Sequence, residues 1–175
     1  RYESSFSWAN RAMEQNRGST SLQHQKGNIL FKWARVLKEA GENEKANEKI
    51  EEAKKHFAKS RMASVPNEYG FVTHLDMLIY LIEHSSDDIE KANLFAEGTR
   101  LYTEGIEVIP EYAFNFFLKE RYKIFDLKGN AVTQLCEKIS QGIKSCQCSV
   151  HGIAFLAENM YNEGKYQDSI DLLNS

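Results

Sequence analysis

The sequence has little of what builds disulfide frameworks, membrane spans or charge-driven binding surfaces. Its 175 residues include only three cysteines, an odd number that cannot pair fully and that suits a reducing compartment. No run approaches the roughly 18 apolar residues of a membrane helix, and the first residues lack the apolar stretch of a signal peptide. The net charge of -3 at pH 7 provides no basic excess to attract nucleic acid or anionic lipid. These absences predict a cytoplasmic protein whose partners include neither nucleic acid nor membrane.

The short motifs that mark common catalytic sites are also missing. The sequence contains no GxxxxGK[ST] phosphate loop, no HExxH, no GxSxG and no glycine cluster of the dinucleotide-binding type. Histidine occurs at positions 24, 56, 74, 84 and 151, on separate predicted helices and without a nucleophile at a suggestive spacing. We therefore predict that the chain is not an enzyme and uses no cofactor.

Proline is scarce, and helical periodicity extends along most of the chain. The only two prolines, Pro66 and Pro110, each follow a long helical pattern. They are predicted to mark helix ends, because proline lacks the backbone N–H and restricts the residue before it. Turns between helices are predicted at Gly41, Gly129 and Gly164. Since no apolar pattern alternates as a strand would, the predicted fold class is all-α.

The predicted helices pair into antiparallel hairpins. Four hairpins are expected, at about residues 20–64, 68–108, 111–146 and 150–175, and residues 1–16 are expected to be a helix of a preceding repeat. Such a hairpin cannot bury its apolar face alone and must stack on its neighbours. We therefore predict a single array over residues 1–175, as a fragment of a larger protein.

Core positions and a helix cap follow from the spacing within the middle hairpins. In the second hairpin the residues expected to face inward are Phe71, Leu75, Leu78, Ile79, Ile82, Ile89, Ala92, Ala96 and Leu101. Its loop, Ser85-Ser86-Asp87-Asp88, is expected to supply the N-cap of the next helix. In the third hairpin Phe114, Phe117 and Phe125 are predicted to face inward, leaving Phe116 and Tyr122 as candidates for an exposed contact.

Two stretches repeat one order of large, small, aromatic and glycine residues. The first runs through Leu156, Ala157, Met160, Gly164, Tyr166, Ser169 and Leu173, and the second through Leu30, Trp33, Ala34, Leu37, Gly41, Ala46, Ile50 and Ala53. This order resembles that of the tetratricopeptide repeat (TPR) family. The small position recurs about every 41 residues instead of every 34, which indicates an irregular array. The resemblance implies an α-α superhelix, a TPR-like solenoid of antiparallel helix hairpins.

The resemblance also implies a concave binding face lined by the first helix of each hairpin. The matching groove positions are Asn28, Phe31, Arg35 and Lys38, then Thr73, Asp76 and Tyr80, and finally His151, Ala154, Glu158 and Tyr161. Mixed polar and aromatic side chains suit a protein or peptide ligand, so a non-catalytic protein-interaction scaffold is predicted. The alternative for each residue is an ordinary solvated helix position. The C-terminal carboxylate of heat-shock chaperones is disfavoured as a ligand, because the family's clamp has Lys and Asn where this sequence has Phe31 and Arg35.

A second function is implied by the style of the array. The segment Pro66-Asn67-Glu68-Tyr69-Gly70-Phe71-Val72 opens the second hairpin. Long irregular repeats of this kind resemble the C-terminal arrays of STAND-type signalling ATPases, including antiviral ones. That resemblance implies a sensor or regulatory arm whose partners would be other domains of the same chain. An upstream P-loop domain would favour this alternative, and a stand-alone array would favour an adaptor.

Four residues raise the alternative of a metal site. Cys136, Cys146, Cys148 and His151 carry the thiolate and imidazole groups that bind zinc tetrahedrally. Their spacing does not match the usual ligand pairs, so we predict buried or idle thiols and no bound metal. A metal or redox role for these residues is the alternative.

Overall fold

The computed structural model describes residues 1–16, 18–62, 68–109, 114, 117–145 and 148–174. These ranges contain helices and turns but no strand, so the predicted all-α class is confirmed. The helices, in chain order, are α1 (Tyr2–Gln15), α2 (Thr20–Glu39), α3 (Asn43–Arg61), α4 (Tyr69–His84), α5 (Asp88–Val108), a 3-10 helix (Glu120–Phe125), α6 (Ala131–Lys144), α7 (Val150–Asn162) and α8 (Tyr166–Leu173). Within these ranges no helix has both the length and the apolar character needed to cross a membrane.

The chain forms two compact units. Unit 1 comprises Arg1–Leu101 and unit 2 comprises Tyr102–Ser175, so the boundary falls inside α5. The single array predicted over residues 1–175 stays a prediction.

The predicted turns and caps are present. Gly41, Gly129 and Gly164 all adopt positive φ, at 78°, 62° and 81°, a region that a residue without Cβ occupies at low cost. The Asp87 carboxylate accepts hydrogen bonds from the backbone N–H of Ile89 at 2.8 Å and of Glu90 at 3.4 Å, which confirms the N-cap of α5. Pro66 and Pro110 lie outside the described residues, and the helices before them end at Arg61 and Val108.

In unit 1, α2 and α3 form an antiparallel hairpin. Gln23, near the start of α2, contacts His56, near the end of α3, whereas Trp33 lies further along α2 and contacts Lys49, which comes earlier in α3. The two helices approach closely at Gly27, where a Cβ atom would lie 2.5 Å from the Phe57 ring. The buried core of the hairpin comprises Leu30, Phe31, Ala34, Ala46, Ile50, Ala53 and Phe57.

Helix α4 packs against this hairpin and runs parallel to α2. His24 contacts Thr73, which lies 49 positions further along the chain, and Phe31 contacts Tyr80 at the same separation. A constant separation over two turns means that the two helices point the same way. Helix α4 buries Phe71, Leu75 and Leu78, as predicted, together with Val72, His74, Met77 and Leu81.

The predicted inward face of α5 is wrong over most of its length. Ile89 is 74% exposed, and Ala92 and Ala96 are exposed as well. The buried stripe instead comprises Leu94, Gly98, Leu101, Tyr102, Gly105 and Ile106. The alanines matched the small residues expected at a helix crossing, but on this helix the buried small residues are Gly98 and Gly105.

In unit 2, buried aromatic side chains follow α5 in the chain. Phe114, Phe117 and Phe125 are buried, as predicted, but Tyr122 is also fully buried, so the prediction of an exposed Tyr122 is wrong. Residues 120–125 form a 3-10 helix where an α-helix was expected. With three residues per turn, a 3-10 helix places positions three apart on one side, and this explains why Tyr122 and Phe125 are both inside. Phe116 lies outside the described residues.

The rest of unit 2 consists of α6, α7 and α8. Its core includes Ala131, Leu135, Ile139, Leu156 and Ala157. Helix α8 is tied to α7 by the buried Ser169 hydroxyl, which donates to the Ala157 carbonyl at 2.8 Å. The ammonium of Lys138 on α6 donates to the carbonyls of Glu107 and Ile109 at 2.9 and 3.0 Å, thereby capping the end of α5.

Candidate partner-binding face

Predicted groove residues of α2 and α4 meet on one surface of unit 1. We call this surface the α2–α4 face; it comprises His24, Phe31, Arg35, Thr73, Tyr80 and His84. The parallel alignment of the two helices sets two residues of α2 directly against predicted partners on α4. The face therefore follows from the register between the helices as well as from the sequence of each one.

Arg35 and Tyr80 form the centre of the face. The Arg35 guanidinium carbon lies 4.8 Å from the centre of the Tyr80 ring, a distance at which cation and ring attract each other. Phe31 is buried and meets the same ring edge-on at 5.6 Å. Phe31 thus fixes the tyrosine from the core side, while Arg35 remains exposed. Arg35 takes part in no ion pair in the part of the chain that the structure describes.

His84 extends this stack and was not predicted. Its ring lies parallel to that of Tyr80 at 4.1 Å. Its Nδ1 lies 2.8 Å from the Tyr80 carbonyl oxygen, which can only accept, so Nδ1 carries the proton and donates. The spacing of four residues between Tyr80 and His84 could have indicated this contact, because such residues are neighbours on a helix.

Thr73 marks the other end of the face. Its hydroxyl lies 2.8 Å from Nε2 of His24 on α2, and the His24 ring lies 5.5 Å from that of Tyr69. Burial lowers the pKa of His24, so this ring is neutral at pH 7. The remaining predicted residues of unit 1, Asn28, Lys38 and Asp76, are half-buried on the same two helices.

The predicted residues of unit 2 lie on α7. His151, Ala154, Glu158 and Tyr161 are all exposed. The Tyr161 ring meets that of Tyr166 at 5.0 Å in an edge-on arrangement, so this aromatic pair spans the turn at Gly164.

A charged network around the buried His74 joins α3, α4 and α5. The Arg61 guanidinium lies 3.0 Å from Nδ1 of His74, and Nε2 of His74 lies 3.2 Å from a Glu97 carboxylate oxygen, at ion-pair distance but without hydrogen-bond alignment. The Lys54 ammonium reaches the other oxygen at 3.0 Å. Contact with His74, and then with Lys54, lowers the pKa of Glu97 to about 2.

This network fixes the protonation state of His74. A guanidinium can only donate, so Nδ1 of His74 must accept and the ring proton sits on Nε2, facing Glu97. Burial accordingly lowers the pKa of His74. The four side chains contact one another between three helices, and we assign them a structural role.

Comparisons with known proteins add no assignment. No family model matches the chain. Neither does any curated protein or any solved structure. The role of each residue therefore depends on its own geometry.

The cysteines do not assemble into a metal site in the part of the chain that the structure describes. No group of three or more His, Cys, Asp or Glu residues is placed to hold a metal ion among the described residues, and Cys146 lies outside them.

Cys136 lines a groove of about 410 Å³ between α6 and α7, together with Leu156 and Met160. Burial, followed by the charge of Glu163, raises the pKa of the Cys136 thiol, which disfavours the thiolate.

Proposed function

We propose that this chain is a non-catalytic interaction module that binds a peptide or a protein through the α2–α4 face. The observation that carries the proposal is the stack of Arg35, Tyr80 and His84 over the buried Phe31. Tyrosine and arginine are enriched among the residues that dominate binding energy at protein interfaces. Here both are held in place before a partner arrives, which lowers the entropy cost of binding.

The helix arrangement supports the same proposal. Parallel first helices of successive hairpins, as α2 and α4 are, belong to the TPR-like superhelix inferred from the sequence. In such an array the first helices line the concave surface. In unit 2, the same family pattern makes the exposed α7 residues His151, Glu158 and Tyr161 a second candidate contact surface.

The absence of catalysis is supported by where the titratable groups lie. His56 and His74 are buried, at 8% and 2% exposure, and Glu97 is engaged by two partners. Buried histidines of this kind stabilise packing but do not reach a substrate.

The test compares partner capture by the intact chain and by a variant of the binding surface. Arg35→Gln, Tyr80→Leu and Tyr161→Leu together remove the cation and both rings while keeping most of the buried volume. We expect this variant to lose the proteins that the parent retains from native cell extract, quantified by mass spectrometry. Helicity and melting temperature, measured by circular dichroism, should match those of the parent.

The control changes two exposed residues away from the face. Lys55 on α3 and Ile89 on α5 are both exposed, so Lys55→Ala with Ile89→Ala should retain the same proteins as the parent. Equal recovery by the parent, the control and the surface variant would exclude the α2–α4 face as the binding surface.

A further inference from the structure

We infer that unit 1 contains an acid-sensitive lock, in which three neutral histidines at the junction of α2, α3 and α4 hold the helices together and release them when protonated. The residues are His24, His56 and His74, one from each helix. His24 also belongs to the α2–α4 face, but this inference does not rest on the proposed function, because it is tested by folding equilibria and not by the binding of a partner.

Two of the three histidines pack against a single ring, and the third is its neighbour in the chain. Phe57 is fully buried, and its ring lies 6.4 Å from that of His24 and 5.6 Å from that of His74. His56 precedes Phe57 in the chain and contacts the ring of Phe6 on α1 at 6.3 Å. Four helices thus meet where these rings pack.

Each histidine has a partner that is satisfied by the neutral ring. His24 bonds to the hydroxyl of Thr73 at 2.8 Å, and Nδ1 of His56 bonds to the amide oxygen of Gln23 at 2.6 Å. His74 accepts from Arg61 through Nδ1 at 3.0 Å. A second proton on His74 would have to occupy the position that the guanidinium already fills.

The surrounding charges oppose protonation at two of the three rings. Lys26 of α2 and Lys59 of α3 act against a charge on His56, and Glu52 of α3 acts in its favour. Together with burial, which is the largest cause, they lower the pKa of His56 to about 4.

At His74, burial is again the main cause of the lowered pKa, and Arg61 and Lys54 act in the same direction. Glu97 of α5 is the one group that favours the charged ring, but it is shared with Lys54 at 3.0 Å. For His24, burial alone lowers the pKa, and its contacts on α3 and α4 are the uncharged rings of Phe57 and Tyr69.

The direction of the effect follows from proton linkage. A histidine with a lower pKa in the folded chain than in the unfolded chain binds fewer protons when the chain is folded. Acid therefore favours unfolding. For His56, with folded and unfolded values of about 4 and 6.5, the folding equilibrium constant should fall roughly 20-fold between pH 7 and pH 5. His24 and His74 should add to this loss in the same pH range.

The test measures folding equilibrium constants by urea denaturation at pH 7 and pH 5. Between pH 7 and pH 5 the folding equilibrium constant of the parent should fall at least roughly 20-fold, which is the decrease expected from His56 alone. A triple variant, His24→Gln with His56→Asn and His74→Gln, keeps hydrogen-bonding groups but removes the titration, so its loss should be smaller by at least that factor. The matched control, His84→Gln with His151→Gln, changes two exposed histidines and should behave as the parent does. Equal pH dependence in the parent and the triple variant would overturn the inference.

A second measurement does not depend on the variant folding. In the parent with ring-labelled histidines, NMR at pH 5.5 should show the His56 ring still neutral in the folded state, and the rings of His24 and His74 less protonated than in the unfolded chain. Titration of all three rings near pH 6.5 in the folded protein would contradict the lock directly.

Discussion

At the residue scale, the size of a side chain at a helix crossing is the most tightly constrained property. Ala46 of α3 is completely buried in the α2–α3 hairpin, and at the other end of the hairpin the helices pack so closely that Gly27 lies against Phe57. Protein interiors are packed to crystal-like density, so three added carbon atoms have no room without movement of a helix.

We therefore expect Ala46→Leu to lower the free energy of unfolding by about 1 to 3 kcal/mol, because the larger side chain overpacks the hairpin. The same substitution at Ala96, which is exposed on α5, is the control and should change the stability by less than about 0.5 kcal/mol. Urea denaturation of both variants measures the difference. If Ala46→Leu were as stable as the parent, the close packing of α2 and α3 at this position would be wrong.

At the element scale, the start of α5 depends on a single carboxylate. Asp87 accepts from the N–H groups of Ile89 and Glu90, and its own N–H donates to the Ser85 hydroxyl at 3.1 Å. The neighbouring Asp88 has a side chain that is 98% exposed and lies 3.9 Å from Lys91. Only one of two adjacent aspartates therefore caps the helix.

Asp87→Ala should cost about 0.5 to 2 kcal/mol of stability, because two N–H groups at the helix N-terminus lose their acceptor. Asp88→Ala, the matched control, should cost only a few tenths of a kcal/mol, since it removes a weak surface ion pair. Thermal unfolding followed by circular dichroism distinguishes the two. An equal effect of both substitutions would mean that Asp87 acts through its charge alone.

The elements themselves were largely predictable from sequence, but the faces they bury were less so. Glycines at the turns and the cap at Asp87 are local signals, and these predictions are confirmed. The inward face of α5 could not be predicted from the sequence. Alanine and glycine both fit the small-residue pattern, and only packing against neighbouring helices determines which of them is buried. Tyr122 was misassigned because its position depends on a 3-10 helix, whose period the sequence does not reveal.

The candidate site was predictable only in part, for a related reason. Phe31, Arg35 and Tyr80 were found because each occupies a recognisable position on its own helix. The packing of His24 and His74 against Phe57 was not predicted, because positions far apart in the sequence become neighbours only through the register between helices.

At the scale of the whole molecule, the core of unit 1 contains the buried His56 and His74, and His74 contacts the half-buried Glu97. The lowered pKa of Glu97, about 2, makes its stabilising contribution complete above its ordinary pKa near 4.5 and progressively smaller as the pH falls toward 2. The histidines lose theirs at higher pH. Acid should thus weaken the protein in two stages, the first from His24, His56 and His74 and the second from Glu97.

The metal content of the whole chain can also be predicted. We expect the purified protein to carry no stoichiometric zinc. The Cys136 thiol has a raised pKa, and the Cys148 thiol lies 3.6 Å from the Ser149 carbonyl, to which it donates. Protonated thiols bind zinc poorly, because the thiolate is the ligand. Elemental analysis should therefore find far less than one equivalent, and chelation should leave the melting temperature unchanged. Cys148→Ser and Cys136→Ser are the paired variants: one equivalent of zinc in the parent that is lost from the Cys148 variant would instead identify a structural metal loop around Cys148 and His151.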